Sequence, residues 1–172
     1  VAMSSAQLAA LTSSQVVALT TEQVASIQSS DLAAMTTAQI NALNAAQAGA
    51  LSTNQIAALT TSEVRALNTA AAAGLITEQI VALSSAQAVA LSTSQVAALT
   101  TTQIASIETG DLAALSTAQI ASLGAAQIGA LGTAQIAAMT SPEVRAINTS
   151  AISGLTTEQV ASIQSSDLAA MT

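Results

Sequence analysis

The amino-acid sequence predicts an all-α solenoid built from short, individually capped helices. Three observations support this fold class. An eight-residue pattern repeats about 21.5 times over residues 1–172 without a change of register. Most repeats open with residue types that cap helix N-termini. Each repeat also carries two aliphatic positions three residues apart, a spacing that places both on one face of a helix. The repeat is therefore the structural unit, and its apolar face must be buried against neighbouring repeats.

The octad has four constrained positions, which we number from position one at Ser4. Position four is Gln in 14 of 21 octads, and position five is Ile, Val or Leu in all but three. Position seven is always Ala, Ser or Gly, and position eight is always Leu, Ile or Met. Because no linker or change of composition interrupts the pattern, we expect residues 1–172 to form a single uninterrupted array.

A longer period overlies the octad. Residues 63–68 return in closely similar form at residues 143–148, and Asp31 returns as Asp111. Both separations are 80 residues, or ten octads. This superrepeat indicates that the array grew by duplication of whole octads.

Each octad is expected to be a helix of about two turns followed by a kink. In one continuous helix the aliphatic stripe would rotate by about 80° per octad, so no single face could be buried. A break in every octad removes this drift. The spacing of Thr12 to Gln15, Thr20 to Gln23 and Thr60 to Glu63 is that of a capping box.

Further residues refine the ends of the helices. Proline disfavours helix in the residue before it and is favoured in a first turn, so Pro142 predicts Ser141 as the N-cap. Residue types that tolerate the left-handed conformation are expected at position one to close the preceding helix. They are Asn44, Asn68, Asn148, Gly124 and Gly132. The small residues of position seven predict close approach of adjoining helices.

A β-solenoid is the alternative fold. The β-branched residues of position five, the abundant Thr and a stackable Gln column favour it. The odd spacing between the two aliphatic positions does not, because it would place them on opposite faces of a strand.

The composition excludes most site chemistry. The chain has no His, Cys, Phe, Trp or Tyr, and two Arg stand against nine acidic residues for a net charge of −7. It therefore lacks an imidazole base, a thiolate, a disulfide and the ligands of a structural zinc site, and it cannot neutralise a nucleic-acid backbone. We predict no catalytic, cofactor-binding or metal-binding residue, no enzyme activity, no cofactor and no nucleic-acid partner. No apolar run is long enough for membrane insertion.

The charged residues have simple structural roles in this interpretation. Five acidic residues occupy position four: Asp31, Glu63, Asp111, Glu143 and Asp167. Calcium binding would need several oxygen atoms to converge, so capping of helix N-termini is the favoured role. Arg65 and Arg145 lie two residues after Glu63 and Glu143, a spacing that does not bring side chains together on a helix, and a solvated surface role is favoured.

The whole chain resembles the Ala/Thr/Gln-rich octapeptide arrays of very large bacterial surface or secreted proteins, often described as adhesin-like. The resemblance implies an extracellular structural segment, such as a spacer or a fibre element. The alternative function is a binding module that contacts ice or carbohydrate through columns of Ser and Thr.

Self-assembly is the expected partnership. The octad pattern continues unchanged to Val1 and Thr172 without a polar capping repeat, and low charge gives little repulsion between copies. We therefore expect head-to-tail or lateral homo-assembly.

Overall fold

The computed structural model describes residues 4–164 and residue 167. These residues form twenty α-helices, one in each octad, and contain no β-strand. The predicted all-α solenoid is confirmed, and the β-solenoid alternative is wrong for the described residues. The helical choice is explained by local chemistry, since each octad carries its own N-cap and its own aliphatic face.

The helices have four to six residues each. The first ten are α1 Ser5–Ala9, α2 Ser13–Val17, α3 Thr21–Ala25, α4 Ser29–Leu32, α5 Thr37–Ala42, α6 Ala45–Gly49, α7 Thr53–Ala58, α8 Thr61–Ala66, α9 Thr69–Gly74 and α10 Thr77–Val81. The next ten are α11 Ser85–Ala90, α12 Thr93–Ala98, α13 Thr101–Ser106, α14 Thr109–Leu112, α15 Thr117–Ala121, α16 Ala125–Ala130, α17 Thr133–Ala137, α18 Ser141–Ala146, α19 Thr149–Ile152 and α20 Thr157–Ser162.

The helices are shorter than the two turns predicted, because an extended corner takes up part of each octad. Between α7 and α8, Leu59 has φ −63 and ψ 139, and Thr60 has φ −71 and ψ 160. Positions eight and one thus form the corner. A six-residue helix makes only about 1.7 turns.

The first-position Asn and Gly residues adopt a different conformation from the one predicted. Asn44, Asn68 and Asn148 have φ values of −88, −71 and −68, and Gly124 and Gly132 have φ values of −88 and −71. No described residue has a positive φ. The prediction of left-handed residues is therefore wrong. The preceding helix already ends in the extended corner, so these residues serve as N-caps of the following helix.

The N-cap at the single proline is also displaced from its predicted position. Thr140, not Ser141, is the N-cap of α18, and Pro142 is the second helical residue. The main-chain N–H of Thr140 donates to Glu143 Oε2 at 2.6 Å, and its hydroxyl donates to the same oxygen at 2.8 Å. These two bonds hold the octad register against the conformational preference that Pro142 imposes on Ser141.

Three consecutive helices make one coil. The chain divides into two compact units, Val1–Leu91 and Ser92–Thr172. Within each unit, a helix packs on the helix three octads later. The stacks of the first unit are α1–α4–α7–α10, α2–α5–α8–α11 and α3–α6–α9, and those of the second are α12–α15–α18, α13–α16–α19 and α14–α17–α20. Each unit is therefore a solenoid-like array with 24 residues per coil.

The core of each unit is made by positions five and eight, as their spacing predicted. Ile56 is fully buried and Leu59 is 4% exposed. Position eight is buried in most octads because the corner turns its side chain inward. Both aliphatic positions of an octad thus contribute to one core.

The small residues of position seven lie at the border of this core. Ala58 is partly accessible, so close packing is not the rule at every octad. It does occur at Gly74, the position-seven residue of α9. A Cβ added to Gly74 would lie 2.6 Å from Ala45 Cα and 2.8 Å from the Ala45 carbonyl carbon. Since α9 packs on α6, this contact fixes how closely the two backbones approach.

We expect Gly74→Ala to destabilise the protein and Gly110→Ala to stabilise it. An added methyl group has no room against the Ala45 backbone, and such overpacking costs about 1–3 kcal/mol. Gly110 has nothing within 4 Å of the added Cβ, so the gain in helix propensity, about 0.5–1 kcal/mol, is retained. Urea denaturation measures both changes. Equal shifts of the same sign would contradict the close approach of α6 and α9.

Candidate functional site: the inter-coil amides

The Gln side chain of position four first serves its own helix. In α7, the Ser52 N–H donates to Gln55 Oε1 at 2.6 Å, and the Gln55 N–H donates to Ser52 Oγ at 3.2 Å. The capping boxes predicted at residues 12–15, 20–23 and 60–63 are formed in the same way. Two N-terminal amides that a helix leaves unpaired are thereby satisfied in each octad.

Half of the capping box forms without a side chain at position one. The main-chain N–H of Ile76 donates to Gln79 Oε1 at 2.7 Å. The N–H groups of Gly124 and Gly132 donate to Gln127 and Gln135 in the same way, at 2.9 and 2.6 Å. The oxygen of the Gln side chain thus closes the corner whatever residue occupies position one.

The amide nitrogen of the same side chain reaches the preceding coil. Gln87 Nε2 donates to the carbonyl oxygen of Ile56 at 2.9 Å and to that of Leu59 at 2.7 Å. The equivalent donors and acceptors are Gln39 with Leu8 and Leu11, Gln47 with Val16 and Leu19, Gln55 with Val24 and Ile27, Gln79 with Ala48 and Leu51, Gln127 with Val96 and Leu99, and Gln159 with Ile128 and Leu131. Each amide joins a corner to the corner one coil earlier.

The position-eight carbonyl depends on this amide. The Ile56 carbonyl also accepts from the Leu59 N–H within its own octad at 3.1 Å, whereas the Leu59 carbonyl accepts no main-chain hydrogen bond in the described part of the chain. Leu59 is buried, and a buried carbonyl without a donor costs about 1–3 kcal/mol. The Gln amide therefore removes a penalty that the corner itself creates.

A carboxamide suits this position because it both accepts and donates. Its oxygen faces the N–H of position one, and its NH₂ group faces two carbonyls of the coil below. Gln87 is only 3% exposed, so water does not replace either partner readily. We call these buried side chains the inter-coil amides.

Glu63 and Glu143 perform only half of this role. Glu63 Oε2 accepts from the N–H of Thr60 at 2.6 Å and from its hydroxyl at 2.8 Å. Glu143 makes the same two bonds with Thr140. The predicted capping role of these two residues is confirmed. A carboxylate has no N–H group, however, so it cannot supply the amide donor to the coil below.

Asn68 and Asn148 supply the donor from position one, in octads where position four is Ala. Asn68 Oδ1 accepts from the Ala71 N–H at 2.9 Å, and its Nδ2 donates to the carbonyls of Asn41 and Leu43, both at 2.7 Å. Leu43 lies 28 residues before Ala71, so its carbonyl is the one that a Gln at that position would reach. The amide has moved along the chain but serves the same corner.

Asp31 and Asp167 do not have the capping role that was predicted for them. Asp31 Oδ1 accepts from the Ser5 hydroxyl, and Asp167 Oδ1 accepts from the Ser141 hydroxyl at 2.5 Å. The N-cap of α4 is Gln28, and it makes no side-chain cap bond. An aspartate side chain is one methylene shorter than glutamine, so here it binds the coil below as an acceptor. Asp111 is buried at the equivalent place in α14.

The remaining polar residues form no recognisable centre of reaction. Arg65 and Arg145 are exposed. The described residues contain no group of three acidic side chains that could hold a metal ion, and they enclose no pocket. None of the described helices has the length and apolar character needed to span a bilayer.

The sequence interpretation missed the role of the Gln nitrogen. A capping box accepts Glu as readily as Gln at its third helical residue. The preference for Gln in 14 of 21 octads, against Glu in two, was the available signal that a donor is needed.

These features define the protein class: a helical repeat solenoid in which side-chain amides bind successive coils together. The sequence profile of the ALTTAQ repeat family matches residues 1–26, 24–61, 61–93 and 104–141. Since the matches cover more than half of the chain, the protein belongs to the ALTTAQ repeat family. A search of curated proteins gave no match.

We expect Gln87→Glu to lower the free energy of unfolding by roughly 2 kcal/mol or more. The cap remains, as at Glu63, but two hydrogen bonds of about 1 kcal/mol each are lost and a carboxylate faces buried carbonyls. Gln15→Glu is the matched control, because Gln15 caps its helix but is exposed. Chemical denaturation compares the two variants. Equal losses would show that the Gln column contributes only through capping.

Proposed function

We propose that this segment is a non-enzymatic structural spacer within a larger surface or secreted protein. The observation that supports this most directly is the inter-coil amide. The same two hydrogen bonds recur from coil to coil, so each added coil is held as the previous one is. Such a device extends a protein by fixed increments without a new core having to be designed for each length.

The extracellular location rests on resemblance and composition. The octads are similar to those of bacterial surface proteins with adhesin-like descriptions. The chain also has no Lys, only two Arg and no aromatic residue. Proteases that cut after basic or aromatic residues therefore find few sites, an advantage for a segment exposed outside a cell.

Self-assembly is part of the proposal. Charged residues are 6% of the chain, so repulsion between copies is small. The octads present closely similar surfaces at every coil, which allows copies to associate in several registers. A fibre-forming role is thus the natural extension of the spacer role.

A second candidate function is contact with ice or carbohydrate. Ser13, Thr37, Thr61 and Ser85 occupy position two of α2, α5, α8 and α11, which pack in sequence, and all four are exposed. They place one hydroxyl-bearing residue on each coil of this stack. The hydroxyls of position one are less suited to a ligand, because many of them bind the N-terminal amides of their own helices.

Distances between spin labels test the spacer function. The chain has no native Cys, so paired substitutions Ser14→Cys with Ser62→Cys and Ser14→Cys with Ala86→Cys place labels on exposed sites of one stack. Packed helices lie about 8–10 Å apart, so we expect separations of roughly 16–20 and 24–30 Å, each with a narrow distribution. Duplication of residues 36–59, one full coil, should lengthen both by one increment.

Duplication of residues 36–43 is the matched control. One octad is a third of a coil, so it should move the second label to another stack instead of extending the first. Broad distributions, or a full-coil duplication that leaves the separations unchanged, would refute the spacer proposal. Activity of the segment in ice-growth or glycan-array assays would favour the second candidate instead.

A further inference from the structure

The first coil carries amides that differ from all the others in the first unit. Gln7, Gln15 and Gln23 of α1, α2 and α3 are exposed, whereas Gln39 and Gln47 are buried. Their oxygens accept from the N-caps as elsewhere. Their Nε2 groups have no acceptor among the described residues. We call this surface the donor edge.

The last described coil carries the complementary set. The carbonyl oxygens of Ile147, Leu155 and Ile163, all at position eight, accept no hydrogen bond within the described part of the chain. In the coils before them, carbonyls of this position receive an amide from a residue 28 positions later, as Leu131 does from Gln159. We call this surface the acceptor edge.

The aliphatic side chains show the same contrast at both edges. Leu59 and most other position-eight residues are buried. Leu11 and Leu19 on the donor edge are only partly buried, as is Leu155 on the acceptor edge. Covering these side chains would remove apolar surface from water, at about 25 cal/mol per Å². The edges are thus matched in apolar surface as well as in hydrogen bonding.

We propose that the donor edge binds the acceptor edge of a second copy of this chain. The inference deepens the self-assembly part of the proposed function and rests on it. Donors and acceptors both recur every eight residues in the same chain order. Gln7, Gln15 and Gln23 then pair with Ile147, Leu155 and Ile163 respectively.

Each amide makes a second bond in this arrangement, as it does inside the protein. Gln87 reaches the position-five carbonyl of Ile56 in addition to that of Leu59. The corresponding position-five acceptors on the second copy are Val144, Ile152 and Val160. Three amides therefore make six hydrogen bonds across the junction, and the junction reproduces the interior contact between coils.

A triple substitution, Gln7→Glu, Gln15→Glu and Gln23→Glu, tests this contact. Glu63 shows that Glu at position four still accepts from the N-cap, so the helices stay capped while the donors are removed. Ala6→Glu, Ala9→Glu and Ser14→Glu together form the matched control. They add the same number of charges at exposed sites of the same coil without touching the amides.

Sedimentation velocity over a hundredfold range of concentration measures association of the full chain and both variants. We expect the unmodified chain to form species of increasing mass, the edge variant to associate at least tenfold more weakly, and the control to stay within threefold of the unmodified chain. Far-ultraviolet circular dichroism verifies that each protein is folded. If the triple variant unfolds, Gln15→Glu against Ser14→Glu makes the same comparison.

Two outcomes would overturn the proposal. A chain that remains monomeric at every concentration would refute it, and so would an edge variant that associates as strongly as the unmodified chain, since that indicates lateral contact. Neither outcome affects the spacer proposal, because label separations within one monomer do not depend on association. A failed distance measurement with intact edge-dependent association would instead refute only the spacer.

Discussion

The structure depends on one requirement: the carbonyl at each corner must receive a hydrogen bond. A chain that turns every eight residues buries a position-eight carbonyl that its own helix cannot satisfy, as at Leu59. The Gln87 amide satisfies that carbonyl and, with its oxygen, the free N–H of its own N-cap. Local capping and the contact between coils are therefore made by the same side chain. This coupling explains why position four is far more restricted than its place on the helix would require.

The exceptions to Gln follow from the same requirement. Asn68 sits where position four is Ala, and it delivers an amide to Leu43 from three residues earlier. Asp31 receives a bond from Ser5 instead of giving one. Glu63 keeps the cap and forgoes the donor. Each substitution changes which atoms meet between coils, and the octad length is preserved throughout. The 80-residue superrepeat carries these exceptions along together with the Gln rule.

Much of the fold was predictable from the sequence, because it rests on interactions within one octad. Capping at residues 12–15 and the shared burial of Ile56 and Leu59 follow from spacings of three residues. The number of octads per coil was not predictable, since contacts 24 residues apart leave little trace in a pattern that repeats every eight. For the same reason the donor role of Gln87 and the link from Asp31 to Ser5 escaped prediction. The conformation of Asn68 was misjudged because its amide serves a neighbouring coil rather than the helix before it.

The most direct test of the requirement is to supply the amides that are absent. In the double variant Glu63→Gln and Glu143→Gln, each new Nε2 group lies where the other octads place their inter-coil donor, and each original residue is only 4% exposed. The account predicts a higher free energy of unfolding, by roughly 1–3 kcal/mol per site for two hydrogen bonds, measured by urea denaturation. An unchanged or lower stability would contradict the claim that side-chain amides hold the coils together.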